Sequence, residues 1–143
     1  DYESMVHMYE QYAMTQLTRE ERETLRKFKR AMWDLIDLKH EEFDELKAKA
    51  RTDMERKQID EKRKNELDKL NQIFIDFLLR WLVSCTRKMF KARRMDVYFP
   101  WEFFCDLKLE LSRYFDEKAI DEVFSQYDVK TEGQAKTIEV PNQ

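Results

Sequence analysis

Residues 44–69 read DELKAKARTDMERKQIDEKRKNELDK, and 17 of these 26 are charged, nine basic and eight acidic. Past Met54 only Ile59 is bulky and apolar before Leu67. A helix polar on every face is either a solvent-bridging arm or no stable helix. Apolar stripes flank the stretch on both sides. Upstream, Leu25, Phe28, Met32, Leu35, Ile36, Phe43, Leu46, Ala50 and Met54 recur at helical spacing. Downstream, Leu67, Leu70, Phe74, Phe77, Leu78, Trp81, Leu82, Cys85 and Met89 do the same. Two apolar-faced helices joined through a charged middle predict an antiparallel hairpin, with its turn between Ala48 and Lys62. One unbroken helix from Arg19 to Arg94, about 110 Å long, is the other solution. Thr52-Asp53-Met54-Glu55 has the residue pattern of a capping box and favours a restart there.

Thr18-Arg19-Glu20-Glu21 is a second such pattern and starts the upstream helix. The first helix, the stripe predicts, runs beyond Lys49. Before it, Tyr2, Met5, Val6, Tyr9, Tyr12 and Ala13 share one face of an N-terminal helix reaching about Met14. Pro100 opens a C-terminal helix with the face Phe104, Leu107, Leu111 and Phe115. Asp116 is placed to cap a last one carrying Ile120, Val123, Phe124 and Tyr127. Thirteen of the 19 aromatics fall between Phe74 and Tyr127, so the core is expected there, with the Leu25–Phe43 face docked onto it.

Composition agrees. The chain holds 143 residues, 57 of them charged, with one Gly and two Pro. Sandwiches, barrels and Rossmann folds need more turn residues than that. The expected class is all-α: a long antiparallel helical hairpin or coiled-coil arm with a small aromatic-rich C-terminal helical cluster. Its expected division is a single module over 1–133, made of 1–17, 18–94 and 95–133, then a flexible tail at 134–143. Opening on Asp1 reads as a fragment of something longer. The opening residues read without a basic-then-apolar signal pattern, and the most apolar run, Ile73–Val83, holds Asp76 and Arg80 and is too short to span a membrane. Two cysteines, Cys85 and Cys105, make neither a disulfide framework nor a zinc ribbon. An intracellular protein, cytoplasmic or nuclear, with reduced thiols and no membrane contact is expected.

No catalytic constellation emerges. His7 and His40 are the only histidines, and neither has a nucleophile or carboxylate at a catalytic spacing. Asp37-x-x-His40 is half of a di-iron bundle motif without its other half. Neither an enzyme, nor a metal, nor a cofactor is therefore expected. Val123-Phe124-Ser125-Gln126-Tyr127-Asp128 resembles the end of an EF-hand's entering helix. That resemblance implies Asp128, Glu132, Gly133 and Glu139 at loop positions one, five, six and twelve. Lys130 at position three and Ala135 at position eight depart from it, and Val140-Pro141 leaves no exiting helix.

Two binding readings remain. Arg80, Arg87, Lys91 and Arg94 fall within about 60° on a helical wheel, and residues 80–94 hold six bases and no acid. Such a ridge can track nucleic-acid phosphates. The stretch from Met95 onward holds eleven acids against five bases, so an internal or intersubunit match explains the ridge equally. The N-terminal face, Tyr2, Met5, Val6, Tyr9 and Tyr12, is rich in adaptable Met and Tyr contact groups. Trp33 lies off the apolar stripe, where an exposed aromatic would mark a contact. The expected function is a non-enzymatic protein–protein interaction module, a scaffold or adaptor subunit that pairs with a partner or itself. A nucleic-acid-binding domain using the ridge, or a degenerate EF-hand-like domain, is the alternative.

Overall fold

Thr18 starts the hairpin. In a computed structural model, the Glu21 amide donates to Thr18 Oγ1 at 3.1 Å and the Thr18 amide donates to Glu21 Oε1 at 2.9 Å. Both bonds of the box are thus formed, and helix α1 follows over Arg19–Lys49. The structure describes residues 17–90 and 100–127 with Ser4, His7, Met8, Glu10, Gln11 and Thr15; the side chains of 84–90 and 100–103 lie outside that description. Four helices of more than one turn are present among them and no strand: α1, α2 over Asp53–Phe90, α3 over Pro100–Leu111 and α4 over Glu117–Gln126. The described residues between 4 and 11 are helical as well.

The charged middle turns. Ala50 leaves α1 in extended backbone at φ −68° and ψ 139°, a conformation open to any residue, so the hairpin needs no glycine. Thr52 Oγ1 accepts from the Glu55 amide at 3.1 Å and so caps α2. The return bond of this second box is shifted by one residue, since Glu55 Oε2 accepts from the Arg51 amide at 3.0 Å. Arg56 closes the turn, donating to Asp53 Oδ1 at 2.7 Å and to the Ala50 carbonyl at 3.4 Å. Contrary to the stripe's prediction, α1 does not run beyond Lys49. Leu46 and Met54 are 44% and 71% exposed, so the apolar spacing past Phe43 has no partner to bury against. Thr52→Ala is expected to lower stability by about 1 kcal/mol, the usual worth of an N-cap. Urea unfolding followed by circular dichroism measures it, and no change would mean Arg56 and Glu55 hold the turn alone.

Ion pairs replace apolar contacts along the arm. Asp44 pairs with Arg63, and Lys47 with Asp60 at 2.9 Å. Each step of three along α1 is answered by a step of three backward on α2, as antiparallel packing requires. Below these pairs Phe43 is buried, with the Lys39 ammonium 6.0 Å and the Arg63 guanidinium 5.9 Å from its ring centre.

The main core lies where the aromatics gather. Leu25, Phe28, Met32 and Leu35 of α1 meet Leu70, Phe74, Trp81 and Leu82 of α2, Phe104, Leu107 and Leu111 of α3, and Ile120 and Phe124 of α4. Phe124 packs edge-on against Phe28 and Phe104, with ring centres 5.8 and 4.6 Å away. Polar locks surround this point. Lys108 pairs with Asp121 at 2.7 Å and Glu117 at 3.1 Å. Burial pulls the Lys108 ammonium down, but the two carboxylates outweigh it and hold the group above its ordinary value. The Tyr127 hydroxyl donates to the Asp34 carboxylate, which, with desolvation, pushes the phenol up. Two details differ from expectation. Asp116 occupies the N-cap position of α4 without a side-chain cap bond, and Phe115 is half-buried in the turn after α3 rather than on its face.

Candidate functional site

Trp33 sits on α1 one residue beyond Met32. The stripe of Leu25, Phe28, Met32 and Leu35 turns inward, and this places the indole on the flank, 64% exposed. The N-terminal segment approaches the same flank, because Lys29 Nζ pairs with Glu10 Oε1 at 2.6 Å. Two open grooves share Trp33, Glu10 and Lys29. One, of about 330 Å³, runs toward α2 between His7, Ile36, Asn71 and Ile75. The other, of about 460 Å³, follows the outer face of α1 back to its start.

This second groove is cationic. Arg19, Arg22, Arg26, Lys29 and Arg30 line it with two carboxylates, Glu10 and Glu23, and with Leu25 and Trp33. Glu23 pairs with Arg26, and that bond holds the Glu23 carboxyl below its ordinary value. Arg19, Arg22 and Arg30 are exposed and form no ion pair among the described residues. Spacings of three and four put Arg19, Arg22, Arg26, Arg30 and Trp33 within about 80° on the helix, along about 21 Å of its length.

Of the residues the sequence singles out, Trp33 is exposed as a contact group would be. Tyr2, Met5, Val6, Tyr9 and Tyr12 lie outside the described residues; their described neighbour Met8 is 71% exposed. Arg80 is on the surface of α2, where its guanidinium stacks 4.8 Å from the Phe77 ring centre and pairs with Asp106 at 3.7 Å. An acid of the C-terminal cluster thus answers the one ridge residue whose side chain is described. Arg87 belongs to α2, but its side chain, like Lys91, Arg94 and the Asp128–Glu139 segment, is outside the description. Asp37 is exposed and His40 half-buried, and no group of three or more His, Cys, Asp or Glu side chains suited to a metal ion occurs among the described residues. Cys105 carries a free thiol. No described helix is long and apolar enough to cross a membrane.

The α1 stripe is the feature that a linear charge count misses. Glu20 and Glu21 interleave with the arginines and offset them in sequence, while the helix turns both to other faces; Glu23 stays beside the stripe, paired with Arg26. Reading Arg19, Arg22, Arg26 and Arg30 at helical spacing would have found it. Compared with known proteins, the chain matches no family model, and no similar curated protein or solved structure was found.

Proposed function

We propose that the chain is a non-enzymatic helical interaction module, a scaffold or adaptor subunit that holds a protein partner on the flank of α1. One observation carries the reading: a tryptophan 64% exposed at the junction of two grooves, in a fold that buries its other large α1 aromatics, Phe28 and Phe43, to 1%. Exposed aromatics of this kind are the anchors of protein interfaces, because they offer large rigid contact area at small entropic cost. The hairpin supports the same reading, since a stiff arm presents a fixed surface with little reorganisation on binding.

Trp33→Glu tests it. An exposed position predicts an unfolding temperature within about 3 °C of the wild type. Light scattering over a wide concentration range, together with affinity capture, is expected to give the wild type an associated species that the variant lacks. A wild type that remains a monomer and captures nothing, or a variant that keeps every association, overturns the reading.

A further inference from the structure

We infer that the cationic groove of α1 receives an acidic amphipathic helix from a partner protein, with Trp33 as the apolar anchor and Arg19, Arg22 and Arg30 as the charged rim. The inference rests on the interaction-module reading and names the chemistry of the partner.

Charge complementarity carries it. Arg19 and Arg22 stand in the opening turns of α1, where the helix dipole disfavours cations. Arg19, Arg22 and Arg30 form no ion pair on this face among the described residues, and its two carboxylates, Glu10 and Glu23, pair with Lys29 and Arg26. Several described carboxylates are engaged elsewhere: Asp34 with Tyr127, Asp106 with Arg80, Glu117 and Asp121 with Lys108, and Asp44, Asp60 and Glu66 across the hairpin. The groove thus holds five cations against two carboxylates, an excess that an acidic strip on a partner matches. Trp33, 64% exposed, adds an apolar contact beside it, and the stripe is about 21 Å long, the length of a helix of about four turns.

A partner helix with acids on one flank and an aromatic or large aliphatic residue beside them satisfies the charged rim and Trp33 at once. A nucleic-acid backbone is the competing occupant, and the chain's formal charge of −3 disfavours a long polyanion more than a short acidic helix.

The experiment uses the full chain as bait for a displayed library of random peptides of about 16 residues, long enough to span the stripe. Enrichment of acidic peptides carrying an aromatic or large aliphatic residue is expected. The Kd of a selected peptide should weaken about tenfold in the triple variant Arg19→Glu, Arg22→Glu, Arg30→Glu, the sum expected of three partly exposed charge pairs. It should weaken by a similar factor in Trp33→Ala and fall further with added salt. Circular dichroism controls for folding; acids at positions 19 and 22 suit the first turns of α1, and position 30 is exposed, so the helix should stay intact.

Neutral or basic winners, no winners, or an acidic winner whose affinity ignores the charge reversal each overturn the inference. So does a fluorescein-labelled single-stranded DNA that binds the wild type more tightly than the selected peptide and is lost in the triple variant. If Trp33→Glu abolishes association while the triple variant keeps it, the module reading stands and only the acidic partner falls. If neither variant changes association, both fall.

Discussion

Phe124→Ala is expected to remove about 3–5 kcal/mol of folding free energy, a large share of the roughly 5–15 kcal/mol that a domain of this size possesses. The ring is fully buried and touches two helices besides its own: Phe28 of α1 and Phe104 of α3 stack edge-on against it within the shared core. Truncation removes the ring's transfer free energy and also leaves a cavity, because the neighbours belong to two separate helices and cannot both move inward together. The edge-on contacts add about 0.5–1.5 kcal/mol each beyond area burial. Urea unfolding by circular dichroism measures the loss. Val123→Ala, one residue earlier and 6% exposed, provides the comparison and should cost clearly less, since far less volume is removed. Equal and small losses in both variants would mean that α4 does not dock onto the hairpin.

That contrast depends on long-range packing, which sequence periodicity carries only in part. The stripes Leu25–Leu35 and Leu70–Leu82 are legible because a buried helix face must repeat every three or four residues. Thr52 is legible as a turn signal because its hydroxyl satisfies an orphan amide that any helix start exposes. Three things are not legible. Leu46 and Met54 continue the stripe yet face solvent, because periodicity reports a face and not whether a neighbour reaches it. Asp34 and Tyr127 stand 93 positions apart, and neither has a local reason to choose the other. The cationic stripe of α1 is hidden from a linear charge count by Glu20 and Glu21, which helical geometry turns to other faces.

Lys39→Glu is expected to cost at least about 3 kcal/mol, the scale of an uncompensated charge left in a protein interior. Lys39 lies midway between Leu35 and Phe43, a position at which helical spacing calls for an apolar residue, and it is 3% exposed. Its stem fills the seam while its ammonium reaches Glu42 at 2.9 Å and Glu66 of α2 at 3.5 Å, 5.0 Å from the Phe115 ring centre. A carboxylate in its place meets two like charges at that range and loses the favourable cation–ring contact. Lys39→Met keeps the stem and removes the charge, so it should cost much less; Glu66 is 20% exposed and can recover water. The exchanged pair Lys39→Glu with Glu66→Lys should regain a substantial part of the loss in a double-mutant cycle, because the attraction between α1 and α2 is restored with its sign reversed. A polar pair at a core position also fixes how two helices align, since sliding α2 by one turn would bury Lys39 without Glu66. If Lys39→Glu costs less than about 1 kcal/mol, or the exchange recovers nothing, Lys39 reaches solvent and the alignment of the hairpin rests on its turn and the outer pairs Asp44–Arg63 and Lys47–Asp60 alone.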